Sequence, residues 1–291
     1  EKEKTMIDFL LTLTNLATLI FVLTSMLSMG LSLSIKDIIA PLKNFKLVIL
    51  ALIANFILVP ILAYLIQLIV PLSEGLTIGL ILVALAAGAP FLPKLAQTAK
   101  GDLALSVGLM VMLMVVTIIF MPIVLPLVLE GVTVNPWDIA RPLIFLMLIP
   151  LAVGLLVKWR YENIASTLQP YMAQSSSFAM ILLLFSGLAA NFKDLVAIIG
   201  SGGIIAALLF LGTAFAAGFF AGGKNPKTRS VLALGTAQRN LSAALVIGTS
   251  SFSSDPHVLI MILVMGLIGL ILLMVTAGEM GRRSGATEIQ L

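Results

Sequence analysis

Cysteine is absent from the 291-residue chain, charged residues make up only 10% of it, and no acidic residue falls inside a long apolar run. The missing cysteines exclude disulfides, thiolate metal sites and cysteine nucleophiles, and leave the redox compartment undetermined. A soluble domain carries about 25% charged residues, so the shortage of charge excludes that class as well. The thirteen Asp and Glu residues stand at the ends of apolar runs or between them: Glu1, Glu3, Asp8, Asp37, Glu74, Asp102, Glu130, Asp138, Glu162, Asp194, Asp255, Glu279 and Glu288. A carboxylate proton relay or a carboxylate cation site inside a bilayer therefore has no candidate. There is also no His-Glu-x-x-His and no mid-span Asp pair, so any nucleophile would be a serine without a visible base. The expectation is a protein that is no enzyme, with no catalytic residue, no metal centre and no cofactor.

What is present is apolar sequence: 60% of residues are hydrophobic and the mean hydropathy is +1.17. A membrane-spanning helix takes about 20 apolar residues. Nine runs qualify, at roughly 7–33, 46–70, 75–97, 103–129, 139–158, 168–190, 198–222, 229–250 and 257–278. Loops are short throughout, so residues 1–291 read as a single all-α polytopic membrane domain with lipid as its main surroundings. Glu1 to Thr5 leads into a run too long for the apolar core of a cleavable signal peptide. The sequence pI of 9.4 does not point to nucleic acid, because the basic residues sit in the loops and report topology. Set Lys94 and Arg239 aside. Eleven basic residues (Lys36, Lys43, Lys46, Lys100, Lys158, Arg160, Lys224, Lys227, Arg229, Arg282 and Arg283) then lie on one side, and four (Lys2, Lys4, Arg141 and Lys193) on the other. The positive-inside rule puts the first side in the cytoplasm, with the N-terminus outside and the C-terminus inside, in the plasma (inner) membrane. An even number of spans would scramble this split.

The chain also repeats itself. Gly30-Leu31-Ser32-Leu33-Ser34-Ile35-Lys36-Asp37 closes the first span, and Gly187-Leu188-Ala189-Ala190-Asn191-Phe192-Lys193-Asp194 closes the sixth, both reading Gly-Leu-x-x-x-apolar-Lys-Asp. Five spans separate them, so they fall on opposite sides of the membrane. Glycine-opened interruptions at Gly88 and Gly235 fall in spans 3 and 8, and Asp102 and Asp255 each open the next helix as an N-cap. Spans 1–4 (7–130) and 6–9 (168–278) read as inverted repeats, with span 5 (139–158) unpaired. Inverted repeats with matching broken helices are the architecture of secondary transporters, whose site lies where the breaks meet. Pro90 and Pro93 break span 3, since each removes a donor and clashes with the preceding turn. Span 8 has no proline, and its break rests on Gly235 and the polar run Thr236, Gln238, Arg239 and Asn240.

Two cations stand out because they fall inside apolar runs. A guanidinium near the bilayer centre costs at least ~3 kcal/mol, so Arg239 should face protein or a wet cavity. Lys94 is the other. The working expectation is one substrate or crossover site built from Arg239, Lys94, Gln238, Asn240, Thr236, Asn55 and Ser106. For Asn55, Gln238, Asn240, Thr236 and Ser242, hydrogen bonding between helices is an equally good reading as contact with a ligand.

The chain resembles the bile acid:sodium symporter family at Met29-Gly30-Leu31-Ser32-Leu33, at Asn55-Phe56 with Pro60, at Lys100-Gly101-Asp102-Leu103-Ala104-Leu105-Ser106-Val107, and at Gln238 with the polar run around it. The resemblance implies two broken crossing helices in a core of spans 2–4 and 7–9, beside a panel of spans 1, 5 and 6. It also implies that the first of the ten spans found in many members is missing. The family places a Ser-Asn sodium-binding pair where this chain has Leu92-Pro93, and a Glu where it has Leu234. Gln238, Ser106 and Asn55 remain at the other ligand positions. Three readings of Lys94 and Arg239 follow. They stand in for sodium at an anion site, or they clamp free carbonyls of the broken helices, or they snorkel toward an interface. The functional expectation is a secondary transporter of a small or amphipathic organic anion, bile-acid-like or carboxylate, working by alternating access with sodium coupling in doubt. The alternatives are a conventional sodium:organic anion symporter and a passive anion pore.

Overall fold

The computed structural model describes residues 2–39, 43–129 and 135–288; Glu1 and Glu130, both counted above, lie outside them, and so do the side chains of Asp37 and Asp194 in the repeated motif. Among the described residues all regular structure is helical, with no strand. In chain order the helices are α1 (Lys2–Ser32), α2 (Ile35–Ile39), α3 (Phe45–Ile53), α4 (Val59–Ile69), α5 (Glu74–Leu85), α6 (Leu92–Thr98), α7 (Leu103–Val128), α8 (Pro136–Leu143), α9 (Ile149–Arg160), α10 (Glu162–Ala190), α11 (Phe192–Ala197), α12 (Gly203–Ala221), α13 (Pro226–Ala237), α14 (Leu241–Ser251) and α15 (Pro256–Glu288). Among the described residues seven stretches are long and apolar enough to cross a membrane: Thr5–Ser32, Phe45–Ile69, Leu103–Val128, Pro136–Arg160, Glu162–Ala190, Gly203–Ala221 and Pro256–Ser284. The runs read as spans 3 and 8 are each split in two. α5 stops at Leu85 and α6 starts at Leu92; α13 stops at Ala237 and α14 starts at Leu241.

Two of the long stretches carry a widened π-turn, Ala54–Leu58 between α3 and α4 and Ile144–Leu148 between α8 and α9. Both have the same cause. Pro60 and Pro150 each sit second in the helix that follows. A proline inside a helix lacks an N–H, and its ring collides with the carbonyl four residues back. An extra residue in the turn relieves that collision, and such bulges cluster at functional sites. The first bulge holds Asn55.

Helix packing follows membrane rules. Lipid is as apolar as leucine, so helices associate through small residues that let backbones approach. A Cβ on Gly30 of α1 would strike the Leu151 carbonyl of α9, and one on Gly218 of α12 would strike the Leu232 carbonyl of α13. Large apolar side chains such as Phe178, Ile181 and Phe185 of α10 stay on the outside. Trp137 and Trp159, both exposed, mark the two ends of the α8–α9 stretch. Their separation of 22 residues corresponds to about 33 Å of helix, near the thickness of a bilayer's apolar layer.

α1 lies along α10 and also packs on α9, forming one group. α5 packs on α15 and α4, α12 on α13 and α4, and α6 on α7, α13 and α15. The first group touches the rest where α1 meets α14 and α10 meets α15, and α8, continuous with α9 through the π-turn, packs on α7 and α14. Both expected aspartate caps are present. The Asp102 carboxylate accepts from the Leu105 N–H at 2.9 Å, and the Asp255 carboxylate from the His257 N–H at 2.9 Å.

Gly88 is the tightest backbone position in the first break. Its φ is +79°, a conformation that residues with a Cβ adopt only under strain, and a Cβ there would run into the backbone nitrogen of Met114 on α7. Neither obstacle is a flexible side-chain tip that could move aside. Gly88→Ala is therefore expected to destabilise the fold by about 2–4 kcal/mol, combining backbone strain with overpacking. Thermal unfolding of the purified protein in detergent checks it, and an unchanged midpoint would refute it.

Candidate functional site

A helix ends with carbonyls that have no partner within the helix. At the surface water satisfies them, but lipid cannot. The breaks at 86–91 and 238–240 create such ends in the middle of the protein, and the two breaks satisfy each other.

Arg239 is 4% exposed and extends from the second break to the end of α5. Its Nε donates to the Val83 carbonyl at 3.2 Å and its Nη2 to the Ala84 carbonyl at 2.6 Å, both in the last turn of α5. Its Nη1 donates to the Thr236 carbonyl at 3.2 Å, in the last turn of α13, and to Asn55 Oδ1 at 2.7 Å. One guanidinium thus joins the C-terminal ends of two half-helices. Each end carries roughly half a negative charge, so the pair together match about one positive charge. Among the described residues no carboxylate pairs with Arg239.

Asn55, fully buried in the π-turn, completes the clamp. Besides accepting from Arg239, its Nδ2 donates to the Ala51 carbonyl at 2.9 Å and to Thr236 Oγ1 at 3.3 Å. Asn240 ties the breaks together by backbone and side chain. Its N–H donates to the Ala86 carbonyl at 2.8 Å, its Nδ2 to the Gly88 carbonyl at 3.1 Å, and its Oδ1 caps α14 through the Ala243 N–H at 3.2 Å. Thr117 of α7 holds the residue between them. Its hydroxyl donates to the Ala87 carbonyl and accepts from the Ala87 N–H, both at 3.0 Å. Leu92 N–H then serves the Ala89 carbonyl at 3.1 Å. The carbonyls of the first break from Ala86 through Ala89 all have partners.

Of the seven expected site residues, the structure brings Asn55, Thr236, Arg239 and Asn240 into one hydrogen-bonded network. Lys94 is outside it. Its side chain is exposed on α6 and donates to Gln97 Oε1 at 3.5 Å. Ser106, buried on α7, turns its hydroxyl back onto the Leu103 carbonyl at 2.7 Å. Gln238 is 8% exposed, and among the described residues its carboxamide makes no hydrogen bond. It lines, with Arg239, Val83, Leu211, Leu241 and Met265, a cavity of about 10 Å³, room for about one water. Arg239 has five N–H groups and four bonds, so one N–H on Nη2 also remains without an acceptor. Thr117 is the member of the network that sequence reasoning missed. A hydroxyl within the apolar run 107–128 was the available signal.

Removing the guanidinium would leave three buried oxygens without their donor, those of Ala84, Thr236 and Asn55, while the Val83 carbonyl keeps the Ala86 N–H. Arg239→Ala is expected to cost about 3–5 kcal/mol, the range for breaking a buried charged cluster from one side. Arg239→Lys should fall between, because an ammonium cannot reproduce the planar fork. Thermal unfolding measures both. Millimolar guanidinium should raise the Arg239→Ala midpoint and leave the unaltered protein unchanged; no difference between them would refute the clamp.

Residues 19–198 match the Sodium Bile acid symporter family. That match includes the first break and ends before α12, so Arg239 lies beyond it. The chain is 26% identical over 196 residues to the probable chloroplastic sodium/metabolite cotransporter BASS3 of Arabidopsis thaliana, covering 67% of this chain and 46% of that protein. It is also 26% identical over 167 residues to the protein of the same name from Oryza sativa subsp. japonica, covering 57% and 40% respectively. The chain thus spans less than half the length of these two relatives. Most of an all-helical membrane fold, including its first broken helix, falls within the family match, and the chain belongs to the sodium bile acid symporter family.

Proposed function

We propose that this chain is a secondary carrier for a small or amphipathic organic anion, in which Arg239 holds permanently the place that a diffusible cation would otherwise take. The single observation that carries the reading is the guanidinium clamp. Four neutral oxygens, three of the backbone and one of the Asn55 carboxamide, converge on one positive charge, which is the kind of ligand set a hard monovalent cation also uses. Here those oxygens already accept from Arg239. Arg239, with one N–H left over, and Gln238, with its carboxamide unbonded, border the same cavity, and donors of these kinds suit an anionic oxygen.

In this reading α5–α6 and α13–α14 are the third and eighth of nine crossings, within inverted repeats. The N-terminus is outside, the C-terminus is cytoplasmic, and the membrane is the plasma (inner) membrane. α1, α8–α9 and α10 form the panel, and the remaining crossings form the core that rocks against it. The small volume beside Gln238 supports a carrier over a pore, because a pore needs a continuous polar path. A second reading, conventional sodium:organic anion cotransport, is favoured by the names of the two relatives, both probable sodium/metabolite cotransporters.

The two readings separate on sodium. Cholate and butyrate, probes of amphipathic and short-chain carboxylates, are added to the purified protein in sodium-free and in sodium-containing buffer. A ligand at 100 times its Kd stabilises by about 2.7 kcal/mol. The proposal expects the thermal shift with a binding anion to be the same in both buffers, and uptake into proteoliposomes to proceed without a sodium gradient. A shift or an uptake that requires sodium would overturn it in favour of the second reading.

A further inference from the structure

The cavity beside Gln238 has a neighbour. A second cavity, also of about 10 Å³, lies between α1 and α10 on one side and α14 and α15 on the other. It is bordered by Phe21, Met180, Leu183, Leu245 and Ile262, and is wholly apolar. One side chain borders both cavities: Leu241, the first residue of α14. Its position is set by a glycine. A Cβ on Gly266 of α15 would stand 2.5 Å from Leu241 Cδ1, so the leucine tip fills the notch that Gly266 leaves open. On one side of this tip is Gln238, a residue nine-tenths buried whose carboxamide makes no hydrogen bond among the described residues; on the other is the seam between the two helix groups.

We propose that Leu241 is the gate between the seam and the polar crossing, and that its size sets which ligands reach Gln238 and Arg239. The inference rests on the carrier reading above for its purpose, but its geometry is independent of it. A leucine side chain moves between staggered rotamers, and one such step lifts its isobutyl tip out of the Gly266 notch. That movement joins the two cavities without unwinding a helix or breaking a hydrogen bond of the clamp. The apolar part of a ligand can then remain in the seam while its polar end reaches the donors. Leu241 is a specificity-determining residue in this arrangement. It is not a ligand for the charged group.

The chain has no cysteine, so one introduced thiol is the only one present. Gln238→Cys is labelled with methyl methanethiosulfonate in detergent, in the otherwise unaltered protein and with Leu241→Ala added. Leu241→Val serves as a milder second variant should the alanine protein fail to fold. The gate predicts labelling at least about tenfold faster with Leu241→Ala, a lowering of the barrier by roughly 1.4 kcal/mol, and a smaller acceleration with Leu241→Val. Ser106→Cys, a buried position on α7, reports general loosening and should label at the same rate with and without Leu241→Ala. Unchanged labelling at position 238, or equal acceleration at both positions, would overturn the gate. Labelling does not require transport, so this result stands apart from the sodium and anion experiment that tests the function.

Discussion

A helix that unwinds inside a membrane must find partners for its freed backbone groups within the protein, and most of this structure follows from that requirement. The two breaks meet it differently. The first runs over six residues, contains Pro90, and borrows its partners from elsewhere: Asn240 for Ala86 and Gly88, Thr117 for Ala87. The second runs over three residues without a proline and supplies the side chains. The breaks are therefore unequal partners. One offers carbonyls; the other offers Arg239 and Asn240. The π-turn at Ala54–Leu58 adds a third element by turning Asn55 toward both Arg239 and Thr236.

Hydrogen bonding alone does not explain why the central donor is charged. Two helix C-termini, those of α5 and α13, meet at Arg239, and their partial negative charges repel in a medium of low dielectric. A neutral donor would satisfy the carbonyls and leave that repulsion in place. A guanidinium removes it. The same argument accounts for the absence of a carboxylate partner among the described residues, since an added acid would restore the excess negative charge that Arg239 offsets.

Much of this was legible in the sequence because membrane helices announce themselves by length and hydropathy. The seven continuous stretches match seven of the apolar runs, and Pro90 with Pro93 announced the first break. Asp102 and Asp255 were readable as caps because a carboxylate before an apolar run has few other uses. Arg239 was conspicuous by its cost. Lys94 looked equivalent because a hydropathy window records depth along a run and not the face on which a side chain emerges. On the short helix α6 it points outward, where Gln97 meets it. Thr117 escaped the same measure for the converse reason: one hydroxyl in an apolar run does not change the average, and only its identity marks it. Which carbonyls a guanidinium reaches depends on tertiary placement, and no local pattern encodes a bond between residues 239 and 83.

A tethered cation and a diffusible one can occupy equivalent oxygens and still differ in what they can do. A bound ion stabilises its site by an amount that grows with the logarithm of its concentration, so a gradient of that ion can drive a conformational cycle. Arg239 has no concentration and crosses no membrane. It can hold the crossing together at any ionic composition, and it cannot transmit the energy of a gradient. In a carrier built this way the crossing is the rigid part, and the movement must lie where packing is apolar and free of hydrogen bonds. The seam between α1–α10 and α14–α15, with its apolar cavity, has that character. Uphill transport would then need a coupling ion bound elsewhere. Exchange of one anion for another would need none, because the ligand itself supplies the difference between the two states of the cycle.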